Sequence, residues 1–275
     1  DIGKSERSFM LSGLGFSYKA FENYEIYSNL SQNYRSVTFS DISIKNPSFR
    51  INPDIKDESG YTFDVGFRTL EAKLIRFDLN YFYLMYKDRI GFVTKVFEEY
   101  PGYFAVKTER GNVGDAEIKG LESLIDINIH DFLFPALHLN TFFNIAYTES
   151  RYIASLENGV VGNRVEFTPK YNLKTGFVIR LRDIGFNIQY SYVSKQFSDA
   201  TNSEKGNSSG VIGSIPDYAI VDAGFKYFYK RYSLHFGVNN IADVPYFTRR
   251  ATGYPGPGII PSPLRNYYLT LEFKI

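Results

Sequence analysis

The chain has 275 residues, with 31 lysines and arginines against 30 acids, a formal net charge of +1 and no cysteine. That balance gives no general electrostatic reason to expect nucleic acid or an acidic partner, and without thiols there is no disulfide framework, thiolate metal site or catalytic cysteine to consider. Aromatic content is 17 %, all of it tyrosine and phenylalanine, yet mean hydropathy is only −0.24. No run approaches the roughly 20 apolar residues of a spanning helix, which excludes a helical membrane protein; a β-barrel stays open because its polar interior dilutes the average.

The first seven residues are polar, with neither a secretory signal pattern nor a lipidation motif. From residue 8 the chain alternates, and about eleven strands are expected, at 8–20, 22–33, 58–69, 74–87, 115–129, 136–149, 166–181, 184–197, 217–229, 231–241 and 265–275. In the third, Tyr61, Phe63, Val65 and Phe67 alternate with Thr62, Asp64, Gly66 and Arg68. The fourth is weaker, because Phe82 and Leu84 put large apolar groups where polar ones belong, and the fifth begins polar on both faces. In the eighth, Ile184, Phe186, Ile188, Tyr190 and Tyr192 alternate with Gly185, Asn187, Gln189 and Ser191. In the last, Tyr267, Leu269, Leu271, Phe273 and Ile275 oppose Tyr268, Thr270, Glu272 and Lys274. Alternation of this kind places each strand between an apolar and a wet environment.

The connections run short, long, short, long. Phe21, 70–73, 130–135, Arg182-Asp183 and Lys230 are tight; 34–57, 88–114, 150–165, 198–216 and 242–264 are long. Sorting loop length by end of the sheet is the habit of outer-membrane barrels, with short periplasmic turns and long external loops. The predicted fold is therefore all-β, an antiparallel up-and-down transmembrane β-barrel. An odd strand count cannot close such a barrel, and an open edge does not persist in lipid. The chain is expected to be the C-terminal half of a larger one.

The stretches Asn239-Asn240-Ile241-Ala242-Asp243, Tyr246, Arg249-Arg250, Tyr254-Pro255-Gly256-Pro257-Gly258 and Arg265 resemble the C-terminal end of TonB-dependent outer-membrane receptors, and within them the ferric-citrate (iron dicitrate) receptor branch. Residues 29–42, 57–68 and 112–122 extend the likeness. The resemblance implies a 22-strand-type barrel in the cell outer membrane, of which 1–275 form the C-terminal part; the plug domain and the TonB-contacting box have no counterpart in these residues. It also implies a ferric chelate as ligand, outer-membrane lipid around the wall, and the TonB complex as a partner through the plug. No cofactor, no nucleic acid and no catalysis are implied, since no bond is made or broken. Such barrels usually finish on an aromatic residue, whereas this chain finishes on Ile275.

Iron(III) dicitrate is an anion, so a receptor for it needs donors in a wet mouth, and arginine suits because its planar fork matches carboxylates. Arg249 and Arg250 lie in a loop stiffened by Pro255, Pro257, Pro261 and Pro263. Arg35 follows a strand whose Asn29, Ser31 and Asn33 face inward, so Arg35 and Asn33 are rim candidates; Gln196 is a further one. The bland alternative is that the arginines pair with loop acids or outer-leaflet phosphates. His138 and His235 fall on inward faces without a paired carboxylate at ligand spacing, so they are expected to line the lumen rather than bind metal, and His130 falls in a turn. No serine sits in a G-x-S-x-G elbow. Tyrosines at strand ends read as an interfacial girdle rather than base-stacking platforms. Another nutrient for the same machine (cobalamin, an oligosaccharide) and a soluble all-β binding module are the rival readings.

Overall fold

The computed structural model describes residues 8–43, 48–130, 137–251 and 258–274. Its elements in chain order are β1 (Gly13–Phe21), β2 (Tyr24–Arg35), α1 (Phe39–Ile42), β3 (Phe49–Ile51), β4 (Glu58–Thr69), β5 (Ile75–Tyr100), β6 (Tyr103–His130), β7 (Leu137–Ala154), β8 (Tyr171–Leu181) and β9 (Ile184–Val193). They continue with β10 (Gln196–Phe197), β11 (Ser214–Ile215), β12 (Tyr218–Tyr229), β13 (Tyr232–Asn239), β14 (Phe247–Ala251), β15 (Gly258–Pro261) and β16 (Asn266–Phe273). One sheet dominates, in the order β1-β2-β4-β5-β6-β7-β8-β9-β12-β13-β16, so all eleven expected strands are present and each pairs antiparallel with its neighbour in sequence. β1 and β16 stand at opposite ends of that order and do not pair with each other. No helix among the described residues is long and apolar enough to cross a membrane.

Register carries the alternation across the sheet. Phe186, Phe225, Phe236 and Leu269 stand opposite one another on four successive strands, and one residue along so do Asn187, Gly224, Gly237 and Tyr268. Since cross-strand partners point the same way, the apolar set shares one face and the polar set the other, as the period-two pattern predicts. The polar face is knitted by side chains. Arg68 donates to Glu25 at 2.7 Å, the Tyr27 hydroxyl to Asp78 at 2.7 Å, and Asn29 to Asp64 at 3.2 Å.

The ambiguity of the fourth strand has a packing explanation. Phe82 does lie on the polar face, but over Gly120 of the next strand, where an added β-carbon would come within 2.8 Å of its ring. Phe142 lies over Gly176 and Tyr268 over Gly237 in the same manner. An aromatic on one strand thus fills the space that a glycine leaves on the next.

Two expectations about loops are corrected. Residues 88–114 are not an irregular loop: β5 and β6 run on as one hairpin of 26 and 28 residues to a turn at 101–102, well beyond the 9–11 needed to cross a bilayer. Residues 166–170 precede β8 instead of starting it. The long segment after β2 holds α1 and then β3, which adds in parallel to the free edge of β6 at 108–110. Beside it, Val93, Val113, Ala116, Tyr152, Val160, Val165 and Ala200 form a small buried core, so the connection after β7 is folded down onto the strands. The tight turns stand where expected at 182–183 and 230–231, entered through Arg182 and Lys230 with φ near +52°. The expected 130–135 turn and the Tyr254–Pro257 motif lie outside the described residues, apart from the backbone of His130.

The glycine–aromatic contacts make a test. Gly120→Ala would drive a β-carbon to 2.1 Å from the Tyr147 carbonyl oxygen and 2.8 Å from Phe82, whereas at Gly185 the nearest atom is 3.5 Å away. We expect Gly120→Ala to destabilise by about 1–3 kcal/mol and Gly185→Ala to fall within about 0.5 kcal/mol of neutral. Urea unfolding of the purified protein, followed by heat-modifiable gel mobility, compares them.

Candidate functional site

The candidate rim residues fall into two groups, both at the end of the sheet where the long connections gather. In the first, β2 and β4 are in register so that Arg35 faces Glu58 and Asn33 faces Gly60. Arg35 is not free to meet a ligand with its whole fork. One nitrogen donates to Glu58 Oε1 at 2.8 Å and another to both carboxylate oxygens of Asp41 at 2.8 Å. Asp41, 1 % exposed, also accepts from Arg110 at 2.6 Å and from the Thr38 backbone and hydroxyl. These donors hold its carboxyl well below the usual carboxylate range, against the opposing effect of burial. Glu58 in turn accepts the Ile90 backbone N–H at 2.8 Å. The cluster therefore pins the segment carrying α1 and β3 to three strands at once. Asn33 donates to Thr62 Oγ1 at 3.1 Å.

In the second group, the connections 194–217 and 240–265 interlock. β10 pairs with β11, which places Gln196 opposite Ile215 and leaves Gln196 buried. Arg250, on β14, reaches across: it donates to the Ser214 carbonyl through Nε at 3.1 Å and Nη2 at 2.8 Å, and to the Gly210 carbonyl through Nη1 at 2.6 Å. Its burial pushes its pKa down without a carboxylate to offset it. Arg249, its neighbour on the strand, is exposed. Arg35 and Arg250 thus spend donors on loop architecture and Gln196 is buried, while Arg35 stays partly exposed. Among the described residues of 242–264, Arg249 is the exposed cation.

The Asn239–Asp243 motif also acquires a physical role. Asn240, at φ +52°, accepts the Val244 backbone N–H and donates to its carbonyl at 3.0 and 2.9 Å, while its own N–H bonds to Asp222 at 2.8 Å. Asn239 bonds to Asn266, and Asp243 accepts the Arg265 N–H at 2.8 Å. The motif closes β13 and ties its exit to the start of β16. His235 faces inward beside Glu272, Nε2 to Oε2 at 3.9 Å.

The reading from sequence missed Arg110, Lys95 and Arg89. Lys95 bridges Glu109 at 2.6 Å and Glu157 at 2.5 Å, and Arg89 lies over Tyr86 near Tyr152 and Glu166. They lie in the stretch read as an irregular loop, so no periodicity marked them.

A profile described as TonB dependent receptor-like, β-barrel matches residues 1–241. The chain belongs to the TonB-dependent receptor β-barrel family. Proteins of this family are outer-membrane receptors and transporters. Among solved structures, the ferric citrate transporter FecA in its unliganded form is 21 % identical with a TM-score of 0.73, over 96 % of this chain and 38 % of that one. The copper transporter OprC is 16 % identical at 0.70, over 95 % and 39 %. The ferric yersiniabactin uptake receptor FyuA from Yersinia pestis is 17 % identical at 0.69, over 96 % and 37 %. The chain spans less than two fifths of the length of these structures, and identities this low speak for the fold alone.

Asp41 makes the next prediction. Because its folded pKa is depressed, it contributes stability above the unfolded carboxylate pKa near 4, lost as pH falls through the lowered value. Hydrogen-exchange protection over 37–43, measured relative to the intrinsic rate at each pH, should be unchanged from pH 7 to pH 5 and then fall below pH 4. Asp41→Ala, which leaves Arg35 and Arg110 without their shared acceptor, should open the segment at neutral pH at a cost of about 3–5 kcal/mol. Exchange that is already fast at pH 7 in the parent protein would show that the cluster does not hold the segment.

Proposed function

We propose that the intact receptor containing this chain takes up an anionic ferric chelate of the ferric-citrate type across the outer membrane, and that this chain supplies the C-terminal half of the barrel wall and one side of the external mouth. Energy reaches such a receptor through TonB and the plug domain, which lies outside these residues. Family membership supports the class of machine. The observation that carries the choice of an anionic cargo is Arg249, an exposed permanent cation on β14. Its strand is held rigid because Arg250 fastens it to two carbonyls of the neighbouring loop. A pre-ordered cation loses less entropy when a carboxylate docks on it.

The fold by itself does not select the cargo, since a copper transporter shares it as well as chelate receptors do. The two arginines give the experiment its contrast. Arg249→Ala should weaken ferric citrate binding about tenfold or more, the loss of a charge-assisted contact of roughly 1.5–3 kcal/mol, with loop order intact. Arg250→Ala should first raise protease sensitivity of the 198–216 and 242–264 connections. Calorimetric titration of the purified intact receptor with ferric citrate reads the first, and limited proteolysis the second. A receptor that binds cobalamin or an oligosaccharide but not ferric citrate would overturn the proposal.

A further inference from the structure

A second charged feature lies on the opposite face of the wall. Between β6, β7 and the segment before β8 there is a cleft of about 280 Å³ lined by Lys119, Arg151, Arg164, Lys170, Glu117 and Glu149, among others. Four cations face two carboxylates, an excess of two positive charges. Register decides which side of the wall it occupies. Lys119 stands opposite Tyr83 on one side and Glu149 on the other, and Tyr83 opposite Phe63; one pair further toward the membrane, Leu121 stands opposite Tyr81 and Tyr147. Leu121, Tyr81, Phe143 and Ile145 are exposed on the apolar face. Lys119 and Arg151 therefore point outward toward lipid, and they begin where the aliphatic and aromatic band stops.

That height is where a headgroup lies. The side chains are also arranged to receive one. Glu117 accepts from Arg151 Nε at 2.6 Å and lies 4.0 Å from Lys119 Nζ, so one carboxylate holds two cations side by side. Arg151 is still 59 % exposed and Lys119 37 %. Lys170 completes the row with its ammonium over the Tyr147 and Tyr171 rings at 5.6 and 5.8 Å, a cation held above the aromatic girdle. Arg164 enters from the loop, stacked over Phe197 at 5.9 Å.

We propose that this cleft binds a phosphate of a glycolipid headgroup in the outer leaflet. A phosphomonoester offers up to two negative charges and three acceptor oxygens, which matches the charge excess and the cluster of donors. The outward face at the edge of the apolar band favours a phosphate carried by lipid over one free in solution, because acyl chains would lie along Leu121, Phe143 and Ile145 while the headgroup reached the cations. The inference rests on the barrel reading and on the long-connection end facing outward, and is independent of the cargo.

The test uses the intact receptor in detergent and native mass spectrometry with three probes: bisphosphorylated lipid A, its dephosphorylated form, and inorganic phosphate. The parent should retain bisphosphorylated lipid A at least tenfold more tightly than the dephosphorylated form. Lys119→Gln with Lys170→Gln should remove that difference while heat-modifiable mobility and ferric citrate titration stay unchanged. Equal retention of both lipid forms by the parent, or an unaltered preference in the folded double variant, would overturn the proposal. So would inorganic phosphate displacing the lipid at micromolar concentration, which would make this a site for the free ion. Lost cargo binding with lipid selectivity intact would count against the chelate reading only.

Discussion

A backbone that crosses hydrocarbon must satisfy its own hydrogen bonds, and nearly everything in this chain follows from that demand. Eleven strands pair in sequence order because each finds its partner next to it, joined at one end by connections too short to do anything else. The pairing imposes period two on every strand, which gives the wall one face of tyrosine, phenylalanine and leucine and another of asparagine, aspartate, arginine and serine. The family to which the chain belongs builds receptors on this wall.

The polar face is not simply wet. Tyr27 spreads over Gly66, Phe82 over Gly120 and Tyr268 over Gly237, so rings fill what would be empty space against a flat sheet. Charged groups are paired across strands, as Arg68 with Glu25 and Arg76 with Asp126. Exposed pairs of this sort are worth little individually, but they fix side-chain positions along the inner wall.

Above the membrane band the governing physics changes from backbone pairing to burial and charge. Hydrophobic residues of the β5–β6 hairpin, β7 and the following loop form a local core, and Asp41 gathers Arg35 and Arg110. Arg250 spans two loops through backbone carbonyls alone. These contacts make the mouth a set of docked segments, and they engage Arg35, Arg110 and Arg250. An arginine left over in such a place, Arg249, stands out for that reason, and so does the outward row of Lys119, Arg151 and Lys170.

The number and order of the eleven wall strands, their face polarity and the turns at 182–183 and 230–231 were legible in the chain itself, because alternation is a local property and meander pairing adds no long-range choice. Phe82 could not be placed that way, since the glycine that accommodates it is 38 positions further on. Nor could the fate of residues 88–114, where Lys95, Glu109 and the buried valines pair only once the hairpin has formed. The arginines show the boundary most clearly. Sequence marked Arg35, Arg249 and Arg250 as candidates by residue type and loop position. Tertiary structure separated them, because whether a guanidinium is free depends on which carbonyls and carboxylates other segments bring within about 3 Å of it, and no spacing along the chain records that.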